Sequence, residues 1–284
     1  MTPMSDVHAM LQEILQHHAS AFPGFAAQPT PAPTSPDPVY QAALQACSAL
    51  GFIAHDAECV AHAWQARSAR MGHFAPTPWP DEPQDFGLQP APRRSAFASC
   101  PQQLGLYAVL PDAVWVGRMA RAGVPTVQLR FKSDDCAAVA REVAAAVQAV
   151  QGTQALLFIN DHWRQAIEAG AYGVHLGQED LDALQPSELQ ALQASGLRLG
   201  VSTHGYAEMV LKKMATAPQG IGRLAAYARL MQGYPLVAIG GIGADQFGEV
   251  LGTGVGSIAV VRALVNAPNP EEAARQLMAR MATT

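Results

Sequence analysis

The chain has 284 residues, of which 49% are hydrophobic and 14% charged, so it can bury a sizeable core and is not globally disordered. Its formal net charge of -5 argues against nucleic acid as a partner. No apolar run approaches the roughly 18 residues of a membrane helix, and the N-terminus MTPMSDVHAMLQEILQHH has no secretory-signal pattern. The four cysteines have no zinc-like spacing. We therefore expect a cytoplasmic protein with free thiols and no membrane partner.

Residues 1–101 are rich in proline and poor in glycine, and we predict a largely helical N-terminal extension of unknown function. Helices are predicted from Met10 to His17 and from Val39 to about Arg70, with a Pro-rich linker between them and a Pro-rich tail behind. We expect the Pro-rich parts to act as tethers and residues 1–101 to be dispensable for chemistry. A group of residues at helical spacing could form a metal cluster, but a solvated helix face is the favoured interpretation; the group is His55, Asp56, Glu58 and His62.

From residue 102 to residue 284, short β runs alternate with helical runs, which predicts right-handed βαβ units and a parallel sheet. Eight such units close into a (β/α)8 TIM barrel, the fold expected of this α/β domain. The predicted strands are Leu104–Leu110, Thr126–Arg130, Ala155–Asn160, Gly173–Leu176, Arg198–Ser202, Leu236–Ile239 and Ser257–Val260. The predicted helices are Ala113–Ala122, Asp134–Val150, Trp163–Ala169, Ser187–Ala194, Tyr206–Leu211, Pro218–Met231, Ala244–Leu251 and Pro270–Arg280.

One strand of the eight is missing from this pattern. Only KKMATA separates the helix that ends at Leu211 from the one that begins at Pro218, and it contains no β run. Either the chain lacks a sixth strand and its loop, or about 20 residues, one strand with its loop, are absent from this numbering. Because unpaired strand edges are unfavourable, we expect the native polypeptide to carry these residues between Val210 and Lys213.

The segment TVQLRFK alternates with the period of a β-strand. The outer face of a parallel barrel is covered by helices and must be apolar, so Gln128, Arg130 and Lys132 should point inward, toward the carboxyl-end mouth. Two cations leaning toward burial need an anion, and the fork of Arg with the point charge of Lys suits a phosphate or diphosphate. The alternative is an internal ion pair with acids of the barrel.

Two aspartates are expected at the mouths of adjacent strands. Asn160 and Asp161 end one apolar strand, and Asp180 follows the next, where barrel enzymes carry catalytic residues. Carboxylates facing a diphosphate suit Mg²⁺, although Asp161 could instead cap the following helix. For His175 and His204, packing or orienting roles are favoured over zinc binding.

Two glycine-rich segments carry the last two predicted strands, the seventh and eighth in the barrel count. VAIGGIG precedes one helix, and GVGSIAVVR spans the final strand to Arg262. The corresponding loops of barrels commonly bind phosphate through backbone N–H groups, and glycine allows close approach of the oxygens. Ordinary turn glycines are the alternative interpretation.

Taken together, the motifs resemble the thiamine-phosphate synthase family. The match runs from about Leu104 to Ala263 through LGLYAVLPD, VQLRFK, LFINDH, GVHLGQED, LGVSTH, PQG, VAIGGI and GSIAVV, in the order of the family. The resemblance implies a (β/α)8 barrel that joins a hydroxymethylpyrimidine diphosphate to a thiazole phosphate with Mg²⁺. It also implies small-molecule partners, and it leaves the oligomeric state open.

The resemblance also implies a role for each matching residue. The pyrimidine diphosphate would be bound by Gln128, Arg130, Lys132, Asn160 and Ser202. The Mg²⁺ ligands would be Asp161 and Asp180. The thiazole phosphate would meet Gly241 and the backbone of Val261 and Arg262, where Arg262 replaces a serine of some members. Lys212, or less readily Lys213, would be the lysine that ends the family's loop after the sixth strand.

The implied mechanism is dissociative, with Arg130, Lys132, Lys212 and Mg²⁺ stabilising the charge of the departing diphosphate. The family's sixth strand and its Thr-rich loop are absent from this sequence. That departure keeps two alternatives open: a catalytically impaired relative that binds ligands in a regulatory or structural role, and a thiazole tautomerase-like enzyme.

Overall fold

A computed structural model describes residues 4–88, 97–210 and 220–283. These residues divide into two compact units. One, the helical unit, contains the described residues of 1–91 together with those of 203–231. The other, the sheet unit, contains the described residues of 92–202 and 232–284. The predicted boundary near residue 101 stays a prediction, and the described residues of 203–231 group with the N-terminal part.

Three helices open the chain: α1 (Met4–His18), α2 (Pro38–Ala49) and α3 (Ala54–Met71). The Asp37 side chain accepts hydrogen bonds from the first backbone N–H groups of α2, as a helix cap does. The stretch predicted as continuous is interrupted at Gly51, whose φ of 80° is a left-handed conformation that glycine adopts readily. The chain turns there and α3 begins.

Seven strands form one parallel sheet in the order β5-β4-β3-β2-β1-β7-β6. They are β1 (Gly105–Leu110), β2 (Thr126–Leu129), β3 (Leu156–Asn160), β4 (Gly173–Leu176), β5 (Arg198–Val201), β6 (Val237–Ala238) and β7 (Ser257–Val260). Within the described ranges, β5 pairs only with β4 and β6 only with β7. The described residues thus form a TIM-type parallel sheet of seven strands with helices, and the predicted fold class is confirmed.

Ten helices follow in the described part of the chain. They are α4 (Ala113–Arg121), α5 (Cys136–Ala149), α6 (Trp163–Ala169), α7 (Gln178–Ala183), α8 (Pro186–Ala194), α9 (Tyr206–Val210), α10 (Gly220–Leu230), α11 (Phe247–Leu251), α12 (Arg262–Val265) and α13 (Pro270–Ala282). The sequence pattern did not predict the two short helices α7 and α12. The interval in which a sixth strand was expected, and Lys212 with it, lies outside the described residues, so that expectation stays a prediction.

The inner face of the sheet carries a small apolar cluster. Its buried members are Leu104, Tyr107, Val109, Phe158 and Ala259. The opposite face of β2 presents Val127 and Leu129, which are 0% and 1% exposed. This is the alternation expected for a strand that buries one face against helices and the other in the barrel lumen.

The helical unit has its own aromatic core. Trp64 and Phe52 pack there with Trp79 and Phe86 from the Pro-rich tail, so the interpretation of that tail as a tether is wrong for these residues. From α9, Tyr206 also joins the core, and its hydroxyl accepts a hydrogen bond of 2.8 Å from Trp79 Nε1. The tail therefore contributes hydrophobic burial, the main favourable term in folding.

Asp56 of α3 contacts the start of α9. Its Oδ1 accepts a hydrogen bond of 2.8 Å from the backbone N–H of Ala207, and the residue is only 1% exposed. Burial raises the pKa of Asp56, although its hydrogen bond to Ala207 opposes that rise. The interpretation as a solvated helix face is therefore wrong for Asp56.

Candidate active site

Gln128 lies at the centre of a polar group in the barrel lumen. It stands opposite Val109 and Phe158 in the strand register and is 4% exposed. Its Oε1 accepts a hydrogen bond of 2.7 Å from the Tyr107 hydroxyl, and its Nε2 donates one of 2.7 Å to Asn160 Oδ1. The predicted inward direction of Gln128 is confirmed, whereas nothing in the sequence pattern indicated that Tyr107 belongs to this group.

Arg130 and Lys132 come after the end of β2. Both side chains are exposed, and the backbone N–H of Arg130 donates to Leu110 O at 2.8 Å. The expectation that these cations lean toward burial is wrong, because the strand stops at Leu129 and the chain leaves the lumen. Among the described residues, neither cation forms one of the ion pairs that would support an internal salt bridge. Both charges are accessible to an anion that arrives from solvent.

Asp161 and Asp180 meet at the carboxyl ends of β3 and β4. The backbone N–H of Asp161 donates to His175 O at 3.0 Å, and Asp161 has a φ of 66°, which is uncommon outside glycine. Burial, the nearby Asp180 charge and a hydrogen bond between the two carboxyl groups raise the pKa of Asp161, and the charges of His162 and Lys132 oppose the rise. Two carboxylates this close repel each other unless a proton or a cation lies between them.

The helix-cap alternative for Asp161 does not hold. Helix α6 begins at Trp163 without a side-chain cap, so the Asp161 carboxylate does not serve the backbone of that helix. The Asp180 carboxylate has a local role, since its Oδ2 accepts a hydrogen bond of 3.0 Å from the backbone N–H of Gly177 at the start of α7. One Asp180 oxygen is thus held by the backbone, and the carboxylate stays beside Asp161.

The donor set at this corner suits one kind of metal. Within residues 4–88, 97–210 and 220–283, no three His, Cys, Asp or Glu side chains are grouped as a complete metal cage would require. A site for Mg²⁺ needs fewer protein ligands, since this ion is commonly held by one or two carboxylates together with phosphate oxygens and water. The pair Asp161 and Asp180 matches that pattern.

Ser202 is held just beyond β5. Its Oγ lies 2.9 Å from His175 Nε2, and its backbone oxygen accepts a hydrogen bond of 2.6 Å from Gln178 Nε2. Burial lowers the pKa of His175, which favours the neutral ring. This arrangement agrees with the orienting role expected for His175, and it adds Gln178 as a further orienting residue. His204 lies in the helical unit, where its ring pairs with Glu208 at 2.8 Å.

The backbone turns after β6 and β7 form the other part of the predicted site. Gly240 and Gly241 have φ values of 136° and 69°, and a Cβ built on either would meet no atom within 4 Å. The turn is therefore strained for other residues and open on its outer side. Val261 is 41% exposed, and α12 begins directly after it at Arg262. Lys212, the loop lysine expected to stabilise the departing diphosphate, lies outside the described ranges.

Comparisons with known proteins agree on one family. The model of the thiamine monophosphate synthase family matches residues 106–215 and 209–264. The two matched segments overlap at residues 209–215, the interval whose sequence contains no β run for a sixth strand.

Individual relatives give the same result. The chain is 49% identical over 195 residues to the thiamine-phosphate synthase of Neisseria gonorrhoeae, covering 62% of this chain and 94% of the relative. It is 43% identical over 201 residues to that of Yersinia pestis, covering 64% and 92%. A thiamine phosphate pyrophosphorylase from Pyrococcus furiosus has a similar structure, with a TM-score of 0.53, 28% identity and coverage of 63% of this chain and 96% of that one.

Proposed function

Since the chain belongs to the thiamine monophosphate synthase family and is a transferase of thiamine biosynthesis, we propose that it joins 4-amino-2-methyl-5-hydroxymethylpyrimidine diphosphate to a thiazole phosphate. The products are thiamine phosphate and diphosphate. One observation carries the proposal: Gln128 lies in β2 and is followed by Arg130 and Lys132, and the paired carboxylates Asp161 and Asp180 follow β3 and β4, the next two strands of the sheet. That edge of the sheet offers cations, carboxylates and amides to a single ligand.

Each group in this arrangement has a role that its position supports. The amides of Gln128 and Asn160 lie in the lumen, where a flat pyrimidine ring can enter, and the exposed charges of Arg130 and Lys132 face solvent, where a diphosphate arrives. Asp161 and Asp180 would hold Mg²⁺, which neutralises charge on the diphosphate oxygens when bound. Ser202, oriented by His175, would add a hydrogen bond to the same substrate.

The proposed reaction breaks the bond between the pyrimidine methylene carbon and the diphosphate oxygen. The electron pair leaves with the diphosphate, and the remaining cation is attacked by the lone pair of the thiazole nitrogen. That nitrogen carries no proton, so the step requires no general base. The protein then contributes positioning and electrostatic stabilisation of the leaving group through Arg130, Lys132 and, in our proposal, Lys212.

The thiazole phosphate is assigned to the open turn after β6 and to the start of α12. Gly241 leaves the backbone accessible, and Val261 and Arg262 would offer backbone N–H groups, which suit phosphate oxygens. The alternatives of a tautomerase-like enzyme and an impaired ligand-binding relative are not favoured. A tautomerase needs neither the two cations nor the carboxylate pair, and an impaired relative has no need to keep both. We propose the cytoplasm as the location of the reaction.

The test uses the purified full chain with both substrates, with and without Mg²⁺, and follows thiamine phosphate and diphosphate together by chromatography. We expect equal amounts of both products, formed only when Mg²⁺ and both substrates are present. Binding of the pyrimidine diphosphate without turnover would support the impaired relative instead. Absence of both binding and turnover would overturn the proposal.

A further inference from the structure

A chain of hydrogen bonds crosses the first three strands of the sheet. It runs from the Tyr107 hydroxyl to Gln128 Oε1, and from Gln128 Nε2 to Asn160 Oδ1, with both distances at 2.7 Å. The strand register places these side chains side by side but does not decide the direction in which the hydrogen bonds point. A primary amide has nearly the same shape when it is turned over, so another group must set that direction.

Tyr107 is the group that sets it. The residue is 5% exposed and packs among Leu104, Val109 and Phe158. Over the described part of the chain, Gln128 Oε1 is the one hydrogen-bond acceptor found for its hydroxyl. Were the Gln128 amide turned over, its NH₂ group would face the phenol oxygen and the phenol hydrogen would lose its acceptor. A buried donor without an acceptor is unfavourable, so Gln128 keeps its oxygen toward β1 and its NH₂ group toward β3.

The same logic passes to Asn160 at the end of β3. Because Gln128 Nε2 donates to it, Asn160 Oδ1 is the acceptor of that bond, and the NH₂ group of Asn160 is left for the mouth of the barrel. Asn160 is half-buried there, beside the carboxylates and cations described above. The NH₂ group of Asn160 can donate a hydrogen bond to an acceptor atom of a ligand, but it cannot pair with an N–H group of that ligand.

We propose that Tyr107 is a positioning residue that fixes Asn160 as a hydrogen-bond donor, so that the pyrimidine is recognised through a ring nitrogen and not through its exocyclic amino group. The inference rests on the proposed function, which supplies the pyrimidine. It goes further because it names the ligand atom, a ring nitrogen, that accepts the hydrogen bond from Asn160. Tyr107 itself stays within the apolar cluster of the lumen and acts through Gln128.

The experiment compares three kinds of ligand by calorimetry on the full chain, without the thiazole substrate. The reference ligand is the hydroxymethylpyrimidine monophosphate. The first kind of analogue replaces one ring nitrogen by C–H, in two versions, and the second replaces the exocyclic amino group by methyl. For the wild-type chain, one of the C–H analogues should bind at least about tenfold more weakly than the reference, whereas the methyl analogue should bind within about threefold of it.

The variant Tyr107→Phe removes the hydroxyl that sets the direction. In that variant either orientation of the Gln128 amide is allowed, so the penalty for the C–H analogue should fall below about threefold and the penalty for the methyl analogue should rise. Tyr172→Phe is the matched control. The Tyr172 ring also packs on Phe158, with a ring-centroid distance of 5.6 Å against 5.8 Å for Tyr107, but Tyr172 takes no part in the hydrogen bonds that join Tyr107, Gln128 and Asn160. The Tyr172→Phe variant should keep the wild-type binding penalties for both analogues. If loss of any hydroxyl beside Phe158 were enough, the penalties would change in both variants alike.

The outcomes separate this inference from the proposed function. Equal penalties in wild type and Tyr107→Phe, or a wild-type penalty that falls on the amino group, overturn the role of Tyr107 and leave the synthase proposal standing. If the wild-type chain binds neither the pyrimidine monophosphate nor the diphosphate with Mg²⁺, both are overturned, and if it binds the diphosphate alone, the same comparison is made with the diphosphate forms of the three analogues. The wild-type comparison decides between donor and acceptor at Asn160 even if Tyr107→Phe does not fold.

Discussion

The two sides of the proposed site use different parts of the chain: side chains on the pyrimidine side and backbone groups on the thiazole side. On the pyrimidine side, at β2 to β4, side chains meet across paired strands, as Gln128 and Asn160 do at 2.7 Å. On the thiazole side, the site depends on exposed backbone turns after β6 and β7, where Ile239 is 66% exposed. The first side lies between strands paired on both flanks, and the second ends at β6, a sheet edge in the described residues. Side chains of the proposed site are thus fixed by neighbouring strands on the pyrimidine side, where each strand is hydrogen-bonded on both flanks.

The largest expected effect comes from removing the N-terminal residues. The segment 203–231 joins β5 to β6, and its Tyr206, Tyr227 and Leu230 are buried in the same core as the N-terminal helices. These contacts argue against the expected dispensability of residues 1–101. A chain that begins at Ser99 should therefore aggregate or unfold, because that apolar surface becomes exposed.

Size-exclusion chromatography and circular dichroism of the shortened chain provide the measurement. A folded, active, unaggregated product would show that residues 1–101 are dispensable after all. It would also show that the segment between β5 and β6 needs no partner.

The carboxylate pair should have the next largest effect. Asp161→Ala and Asp180→Ala should each lower Mg²⁺-dependent turnover by at least about a hundredfold, because the diphosphate charge is then poorly compensated. Asp182→Ala, on the same helix as Asp180, is the control and should retain activity, and thermal melting should show all three folded. Turnover within about threefold of wild type for either site variant would contradict the metal assignment.

A pair of arginine variants compares the two sides directly. Arg130→Ala removes a side-chain cation from the pyrimidine side and should lower kcat/KM for the pyrimidine diphosphate by about tenfold to a hundredfold. Arg262→Ala leaves the backbone N–H groups of the thiazole side in place, so KM for the thiazole phosphate should change by less than about threefold. Steady-state kinetics with each substrate varied in turn gives both values. Effects of equal size would mean that both sides depend on side chains.

Adding a strand to the 284-residue sequence, at the point where the family carries its sixth barrel strand, should produce the smallest change. A strand and Thr-rich loop taken from a relative, about 20 residues, would be inserted between Val210 and Lys213. The insertion should lower KM for the thiazole phosphate severalfold and leave pyrimidine binding unchanged, because it pairs the edges of β5 and β6. An insertion of the same length rich in Gly and Ser is the control. An unchanged KM for the thiazole phosphate would show that the thiazole side is complete without a sixth strand.

Local pattern was enough for the sheet and for much of the site. The predicted strands Gly173–Leu176 and Ser257–Val260 agree with β4 and β7, because short apolar runs between turn residues are a local signal. The proximity of Asp161 and Asp180 was also predictable, since the carboxyl ends of neighbouring parallel strands meet at one edge. The exposure of Arg130 was not, because it depends on where β2 ends.

What the sequence by itself determined is the alternation of strands and helices and the direction of side chains such as Gln128, because both follow from periodicity over a few residues. Only the tertiary structure decided that Asp56 binds the backbone of Ala207, that Trp79 is buried against Tyr206, and that Tyr107 orients Gln128. Each of these contacts joins residues far apart in the chain or on different strands. These contacts depend on burial and on the need for buried polar groups to form hydrogen bonds. Neither can be inferred from the sequence pattern of a few neighbouring residues.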